Sequence, residues 1–449
     1  MMIKNALQNL GCTLIRTNTE KEYREISNIT DPNALHAFIE QRLNDLLLHA
    51  YQHTQYYHRI FDQIGIIQGD HADLSRIHEI PLLTKENIRK YHKELISDDF
   101  KNRGWYYNSS GGSTGEPVRL IQDRQFQRWS KATNNYYYRN ILDIDEPIVK
   151  KIIIWGSERD LFTGSLGTKA KITNWLTNTI TLNSFRMTSN DIERYINTIN
   201  TYKPDLIRGY AGSLHEICRY AERNNLDIYS PKVVVSAAET LNDEMRGQIE
   251  RVFGRKVYNF YGSREVGNLA GECKDGLMHS FAFWNYQELL DEHNRPVKQG
   301  KEGKVVVTNL FNYSMPLIRY EIGDMAVLGP KRCLCGNILP TFEKVTGRIT
   351  DHFILKNGAT VPAEFFIHLL GVVCNAGEIK QFQVIQEDYD RIRILVVMGA
   401  GLTEEYRKGV ESKIKVAVGS DCEITWDFVD SIPKTPTGKY LYTRSLVRR

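Results

Sequence analysis

The stretch VVVSAAETLNDEMRGQIERVFGRKVYNF, residues 233–260, contains the repeating unit that decides the fold. A continuous apolar run (Val233–Val235) leads into a helical segment (Asn242–Phe253), and a second short apolar run (Val257–Phe260) follows. Strands without an alternating polar face are typical of a parallel sheet that is covered by helices. This stretch therefore predicts a parallel strand–helix–strand unit.

The same alternation extends towards the N-terminus. The apolar run Ile152–Trp155 precedes a helical segment near Lys169–Leu176, and Leu206–Arg208 precedes Ser213–Asn224. The strands that follow, between residues 303 and 328, have an antiparallel pattern. We predict an α/β fold with a large N-terminal domain of mostly parallel sheets plus a β-rich subdomain.

The two ends of the chain differ from this middle part. The first hundred residues are predicted to be mainly helical, with an amphipathic helix over Leu35–Tyr57 and Thr84 as an N-cap. The part after Arg348 has the strand and helix patterns of a small α+β domain. We therefore predict an N-terminal domain over residues 1–347 and a small, mobile C-terminal domain over residues 348–449.

Composition excludes several classes of protein. The 449 residues contain 58 Lys and Arg and 54 Asp and Glu, and this net charge of +4 gives no basis for nucleic-acid binding. No apolar run reaches the length of a membrane span, and no signal-peptide pattern is visible, so we predict a cytoplasmic protein. The odd number of seven cysteines argues against a disulfide framework. The sequence leaves the oligomeric state open.

The densest group of small residues is NSSGGSTGEP, residues 108–117. Glycines let backbone N–H groups approach phosphate oxygens closely, and the hydroxyl groups add donors. The stretch is not a Walker A motif because no Gly-Lys-Ser/Thr follows it, and an extended run follows where a dinucleotide fingerprint needs a helix. Its composition leaves two readings open, a phosphate-binding loop and a flexible hairpin loop.

Five short motifs follow one another in an order that resembles the adenylate-forming superfamily of acyl-CoA synthetases, luciferases and peptide-synthetase adenylation domains. They are the glycine-rich loop, Tyr261-Gly262-Ser263-Arg264-Glu265, Tyr320-Glu321-Ile322-Gly323-Asp324, Gly347-Arg348-Ile349-Thr350-Asp351 and Pro433-Lys434-Thr435-Pro436-Thr437-Gly438-Lys439. The loop and Ser236-Ala237-Ala238-Glu239 are similar to the phenylacetate–CoA ligase branch. Within that branch, the chain resembles the CapK-type proteins encoded among polysaccharide biosynthesis genes.

The resemblance implies a role for each motif. The β- and γ-phosphates of ATP would lie in the loop formed by Ser109, Ser110, Gly111, Gly112, Ser113, Thr114 and Gly115. The rest of the nucleotide would contact Ala238, Glu239, Tyr261, Gly262, Asp324 and Arg348. Glu265 would bind Mg²⁺, and Lys439 would place a positive charge between the acid oxygen and the α-phosphate. Lys439, Glu265 and Arg348 are thus the predicted catalytic residues.

This chain departs from the family pattern at two places. Thr350 occupies the hinge position at which relatives usually have an acidic residue or Lys, and Asp351 follows it, so either could be the hinge. Glu116 stands where many relatives have a Lys, which removes one possible phosphate contact.

The family also implies an acid pocket next to the Tyr-Gly motif, with Tyr138, Trp155 and Ala237 as its predicted walls. The predicted function is ATP-dependent activation of a carboxylic acid to acyl-AMP, followed by transfer to CoA. Three alternatives remain open: an amine acceptor such as an amino sugar, adenylyl transfer to a deazaflavin-type cofactor, and a non-catalytic nucleotide-binding module.

A separate group of residues has the composition of a metal site. Cys333-Leu334-Cys335-Gly336 brings two thiols close together, and Cys273 and His279 precede it. Three Cys and one His complete the tetrahedral ligand set of a structural zinc ion. The same residues could instead be two unconnected features, a chance Cys-x-Cys pair and a surface histidine. Zinc-containing members of the phenylacetate–CoA ligase branch have a similar Cys…His…Cys-x-Cys pattern. The resemblance therefore implies that these four residues bind a structural Zn²⁺ ion.

Overall fold

The computed structural model describes residues 19–109, 118–156, 168–185, 187–346, 353–356, 360–361, 363–370, 379–399, 402–432 and 442–447. Within these ranges, no helix combines the length and the apolar character that crossing a membrane requires.

The described helices are α1 (Glu20–Ser27), α2 (Pro32–His53), α3 (Gln55–Ile64), α4 (Lys85–Lys90), α5 (His92–Leu95), α6 (Arg124–Tyr136), α7 (Thr168–Leu176), α8 (Ser189–Tyr202), α9 (Ala211–Arg223), α10 (Asp243–Phe253), α11 (Ala363–His368) and α12 (Glu404–Val418). Shorter helical turns cover Leu74–Glu79, Phe100–Arg103 and Tyr137–Ile141.

The strands are β1 (Ile67–Gln68), β2 (His71–Ala72), β3 (Tyr106–Ser109), β4 (Arg119–Gln122), β5 (Lys151–Trp155), β6 (Thr179–Asn183), β7 (Leu206–Tyr210), β8 (Val233–Ala237), β9 (Val257–Ser263), β10 (Gly267–Glu272), β11 (Met278–Ser280), β12 (Asn285–Leu290), β13 (Glu302–Asn309), β14 (Tyr320–Leu328), β15 (Thr341–Val345), β16 (Phe353–Ile354), β17 (Thr360–Val361), β18 (Ile379–Asp388), β19 (Arg391–Met398), β20 (Glu423–Phe428) and β21 (Thr443–Ser445).

Eleven of these strands form one continuous sheet in the order β12-β13-β14-β15-β11-β10-β9-β8-β7-β5-β6. The pairs among β6, β5, β7, β8 and β9 are all parallel, as the alternation of apolar runs and helices predicted. The α/β fold class is therefore confirmed. Helices α8, α9 and α10 connect the parallel strands, and their apolar residues form a core against one face of this half.

The other half of the sheet is antiparallel. From β9 to β12, each strand pairs antiparallel with the next strand in the sheet. The antiparallel pattern expected between residues 303 and 328 is confirmed in β13 and β14. The predicted β-rich subdomain thus continues the same sheet, and β9 is the strand at which its direction pattern changes.

The N-terminal region is helical, but one predicted helix is divided. The structure has α2 and α3 where the sequence predicted a single helix over Leu35–Tyr57. Thr54 between them has extended backbone angles, and its hydroxyl accepts a hydrogen bond from Tyr57 N at 3.3 Å. An N-cap of this kind begins a new helix and changes the direction of the chain. Thr84 caps α4 as predicted, with Asn87 completing a capping box.

The last part of the chain has its own four-stranded sheet, β20-β19-β18-β21, packed with α11 and α12. The core of this C-terminal unit also includes Phe185 and Tyr210 from the larger part, and the rings of Phe185 and Phe365 are 5.6 Å apart. The predicted boundary between residues 347 and 348 lies outside the described residues, as do Thr350 and Asp351.

A buried polar cluster joins α2 to the turn at Phe100–Arg103. Arg103 Nε donates to both carboxylate oxygens of Asp99, at 2.9 and 3.0 Å, and Arg103 Nη2 is 2.9 Å from His49 Nε2. Burial first, and the Arg103 charge second, lower the pKa of His49 to about 4. The ring is therefore neutral in the folded protein at neutral pH.

This cluster predicts a pH dependence of stability. In the unfolded chain His49 binds a proton near pH 6.5, whereas in the folded chain it does so only near pH 4. Its contribution is complete above pH 6.5 and is lost as the pH falls towards 4. Replacement by Gln should therefore reduce the loss of unfolding free energy between pH 7 and 4.5 by about 2 kcal/mol.

Urea unfolding of wild type and His49→Gln at both pH values measures this difference. His36→Gln, at an exposed position of α2, is the control. Equal losses of unfolding free energy between pH 7 and 4.5 in wild type and His49→Gln would contradict the lowered pKa of His49.

Candidate functional site

A cleft of ≈ 630 Å³ opens at the carboxyl ends of the parallel strands. Trp155 at the end of β5, Tyr210 at the end of β7, Ala237 at the end of β8 and Phe260 on β9 line it. Ligands of open α/β sheets bind at this edge because the strand ends and their following loops converge there. The opposite wall includes Ile322 and Asp324 from the antiparallel half.

The hairpin that carries the glycine-rich loop is attached to this cleft. Asn108 Nδ2 on β3 donates to Gln122 Oε1 at 2.9 Å and to the Arg264 carbonyl at 3.1 Å. Gln122 Nε2 on β4 donates to the carbonyls of Arg264 and Glu265 at 2.9 and 3.1 Å. Ser109, the last described residue before the loop, pairs with Arg119 in the hairpin. Both ends of the loop are therefore anchored to the segment that follows Tyr261.

Several predicted loop and C-terminal residues fall outside the described ranges. They are Ser110, Gly111, Gly112, Ser113, Thr114, Gly115, Arg348 and Lys439, together with Thr350 and Asp351 at the predicted hinge.

The predicted nucleotide residues on β9 and β14 meet in the cleft. Tyr261 Oη donates to Asp324 Oδ2 at 2.9 Å, and both side chains line the cavity. Gly262 allows β9 and β10 to approach closely, since a Cβ at this position would lie 2.8 Å from the Gly267 carbonyl oxygen. The fold thus places the ring of Tyr261 and the carboxylate of Asp324, 63 residues apart in the chain, side by side.

The end of β8 contributes a second part of the predicted nucleotide site. Ala238 has φ 69°, a left-handed conformation that is rare for residues other than glycine. The turn brings the Glu239 carboxylate to the N-terminus of α9, where Glu239 Oε2 accepts a hydrogen bond from Gly212 N at 2.6 Å. Both residues line the cleft. Backbone strain at such a position is typical of a functional site.

Glu265, the predicted Mg²⁺ ligand, is buried and ion-paired. Its Oε1 atom is 3.3 Å from Lys85 Nζ, and Tyr320 Oη donates to the same oxygen at 3.4 Å. Sequence reasoning missed Lys85, because a lysine in the first turn of a capped helix is ordinarily solvated. Only the packing of α4 against β14, next to the Leu83–Tyr320 bridge, brings it to Glu265.

The predicted acid-pocket residues have different positions. Trp155 and Ala237 line the cleft, whereas Tyr138 does not. Its side chain is buried in the turn after α6, behind Arg208, because the helical turn at Tyr137–Ile141 directs it into the core. Arg208 of β7 lines the cleft wall where Tyr138 had been predicted. No sequence motif had indicated Arg208.

The C-terminal unit reaches the same cleft. Ile367 of α11 lines the cavity, and Phe365 packs against Phe185 at its rim. The unit that carries the predicted Lys439 therefore covers the carboxyl edge of the parallel strands.

The predicted metal ligands lie together in the antiparallel half. The ligand atoms of Cys273, His279, Cys333 and Cys335 are all within 4.8 Å of one another. Cys273 Sγ is 3.6 Å from Cys333 Sγ, and Cys335 Sγ is 3.2 Å from His279 Nε2. Two sulfurs that are each about 2.3 Å from a tetrahedral zinc are about 3.8 Å apart, so the spacing fits this ion.

The surroundings of the cluster favour the same arrangement. His279 is fully buried, and its Nδ1 is 3.2 Å from the carbonyl oxygen of Leu339. With Nδ1–H as the donor, Nε2 keeps its lone pair on the side of the three thiols. Gly336 has φ 83°, which permits the tight turn between the Cys333–Cys335 pair and the following strand.

Comparison with known proteins agrees with this geometry. Residues 353–445 match the family model of the CapK C-terminal domain. Protein CapK of Staphylococcus aureus is 24% identical over 447 residues, which cover 94% of this chain and 91% of that protein. The phenylacetate-coenzyme A ligase of Escherichia coli (strain K12) is 26% identical over 359 residues, with 78% of each chain covered.

The chain is thus similar in sequence to CapK and to phenylacetate-coenzyme A ligases. Its fold is that of the CoA ligases. The solved structure of 2-hydroxyisobutyryl-CoA ligase with 2-HIB-AMP and CoA has a TM-score of 0.58 and 18% identity, covering 91% of this chain and 89% of the other.

The Lys85–Glu265 pair gives a stability prediction. The two side chains are 9% and 6% exposed, so Lys85→Met would leave a carboxylate buried without its cation. We expect this variant to lose about 3 kcal/mol of unfolding free energy, and Lys85→Met/Glu265→Gln to recover part of it. Urea unfolding at pH 7 measures both.

The pair Lys304–Glu321 on the same sheet is the matched control, since it is longer, at 3.7 Å, and more exposed. Lys304→Met should cost less than about 1 kcal/mol. Similar losses of unfolding free energy in Lys85→Met and Lys304→Met would mean that the buried pair stabilises the fold no more than the exposed pair does.

Proposed function

We propose that this protein activates a carboxylic acid with ATP and then transfers the acyl group to CoA. In the first step a carboxylate oxygen of the acid attacks the α-phosphorus, the bond from that phosphorus to the pyrophosphate oxygen breaks, and acyl-AMP forms. In the second step the CoA thiolate attacks the acyl carbon and AMP leaves. The observation that supports this proposal most directly is that Tyr261, Asp324 and Glu239 all line one cleft at the carboxyl ends of the parallel strands.

The chain's own residues take the following roles in this proposal. Asp324 accepts hydrogen bonds from the ribose hydroxyls, and Tyr261, fixed by its bond to Asp324, lies against the adenine. The loop from Ser109 to Gly115 holds the β- and γ-phosphates through its backbone N–H groups and hydroxyls. Arg348 contacts the ribose or a phosphate, and Lys439 faces the charge that develops on the α-phosphate.

Glu265 offers carboxylate oxygens at the cleft wall, which are ligands that Mg²⁺ prefers. Glu265 would hold the ion, and Mg²⁺ when bound would supply positive charge to the triphosphate and to the departing pyrophosphate. Lys85 and Tyr320 hold the same carboxylate in place.

Pyrophosphate release from ATP in the presence of Mg²⁺ and a panel of aryl, fatty, hydroxy and dicarboxylic acids tests the first step. Product analysis with CoA tests the second step, because a thioester, an amide and a stable AMP adduct have different masses. An amide with an added amine would support the amine-acceptor alternative. Failure of ATP to bind would contradict the proposal as a whole.

Lys439→Ala should lower acid-dependent pyrophosphate release by about 10²–10³-fold, because a positive charge at the transition state is lost. ATP binding should change much less. Lys434→Ala, five positions earlier in the same motif, is the control and should keep most of the activity. Equal rates in the two variants would contradict the role given to Lys439.

We infer that Cys273, His279, Cys333 and Cys335 hold a structural zinc ion. Four protein ligands would fill the tetrahedral coordination, which leaves no position for a substrate. The ion would tie β10 and β11 to the segment between β14 and β15, and thereby stiffen the antiparallel half next to Asp324.

Protein purified without chelator should contain about one zinc per chain, and Cys333→Ser should lose it and melt several degrees lower. Cys422→Ser is the control, since this buried thiol lies in the C-terminal unit away from the cluster. Metal analysis and thermal unfolding provide the readouts independently of activity. Equal metal content in wild type and Cys333→Ser would overturn the assignment.

A further inference from the structure

Arg208 is a charged residue in the middle of an otherwise apolar strand. Strand β7 reads Leu206-Ile207-Arg208-Gly209-Tyr210, and the register places Arg208 opposite Ile153 of β5 and Val235 of β8. Residues two positions apart share a face of a sheet, so Arg208 lies on the same face as Tyr210. Tyr210 is paired with Ala237, so this is the face that borders the cleft.

The guanidinium forms part of the cleft wall between aromatic rings. Its central carbon is 4.8 Å from the ring centroid of Phe260 and 5.6 Å from that of Trp155. Arg208 itself borders the cavity. Aromatic faces stabilise a guanidinium only partly, because a ring quadrupole attracts a cation much more weakly than a full negative charge does. The rings therefore position the charge without neutralising it.

Among the residues that the structure describes, no carboxylate lies within ion-pair distance of Arg208, and its buried Nε has no hydrogen-bond acceptor. Two acidic residues of this region already have cations of their own. Glu146 is paired with Lys151 at 3.1 Å, and Glu272 is paired with Arg246 at 2.8 Å. A half-buried guanidinium without an anion is poorly solvated, which makes a ligand that supplies the anion favourable.

We propose that Arg208 binds a second carboxylate of the acid, so that the substrate is a dicarboxylic acid activated at its other end. This inference rests on the proposed adenylation and deepens it by naming the substrate class. A guanidinium can hold a carboxylate through two parallel N–H···O bonds. Arg264, the other described cation that lines the cleft, follows β9, so Arg208 is the described cation on the β7 wall.

The position of Arg208 sets the length of the acid. Arg208 is two residues before Tyr210, and therefore roughly 7 Å below the carboxyl edge of the sheet, where the nucleotide residues lie. A chain of about four to six carbons spans this depth with one carboxylate at each end. Small Ala237 on the neighbouring strand leaves room for such a chain along the wall.

The test compares acids that differ only at the far end. Succinate and glutarate are matched in shape by 4-methylpentanoate and 5-methylhexanoate, in which a branched methyl pair replaces the two oxygens of the second carboxylate. For pyrophosphate release, wild type should prefer the diacid by at least about 10²-fold in kcat/KM. Arg208→Met should bring the preference close to one, mainly by lowering the rate with the diacid. Arg208→Lys should be intermediate, because it keeps the charge but loses the planar fork.

Arg223→Met, at an exposed position on α9, is the matched control and should keep the wild-type preference. Thermal unfolding shows whether Arg208→Met remains folded. If it does not, Arg208→Lys and the matched-acid ratio decide the question. An unchanged diacid preference in the folded Arg208 variants would overturn the inference, as would a wild-type preference for the monoacids.

Calorimetric titration of glutarate into wild type and Arg208→Met separates this inference from the proposed function. Binding of glutarate that requires Arg208, without pyrophosphate release from any acid, would support the dicarboxylate site and contradict adenylation. Pyrophosphate release from monoacids alone would support adenylation and contradict the dicarboxylate site. Neither binding nor release would overturn both.

Discussion

The structure depends on the position of β9, which pairs parallel with β8 on one side and antiparallel with β10 on the other. Backbone pairing holds Val257–Phe260 to β8 and Phe260–Ser263 to β10, and this places the start of the segment Tyr261–Glu265 at the junction of the two halves. Gly262 makes this possible because the Gly267 carbonyl occupies the space that a Cβ would need. The cleft lies where the sheet changes its direction pattern, and residues from both halves therefore reach it.

Two further constraints converge on the same junction. The side-chain amides of Asn108 and Gln122 attach the glycine-rich hairpin to the backbone of Arg264 and Glu265. The buried Lys85–Glu265 pair connects it to the N-terminal helices. These bonds are made to backbone carbonyls or to buried groups, so they order the site before a ligand arrives. Pre-ordering of this kind lowers the free energy that binding must supply.

The Cys/His cluster and Arg208 belong to opposite sides of this site. The four residues of the cluster come from three segments of the antiparallel half. Arg208 belongs to the parallel half, where the rings of Trp155 and Phe260 lie beside its guanidinium. The proposed zinc ion would stiffen the antiparallel half, and Arg208 would offer a charge that a ligand can satisfy.

Much of this protein could be read from the order of its residues, because strand periodicity, caps and glycine positions are local properties. The parallel units, the antiparallel part, the cap at Thr84 and the four metal-site candidates were all visible in the sequence. Local periodicity could not show that the two kinds of strand form one sheet, that Thr54 divides a helix, or that Tyr138 points into the core. The tertiary structure alone placed Lys85 against Glu265 and Arg208 at the cleft, because an isolated basic residue gives no signal until distant elements pack around it.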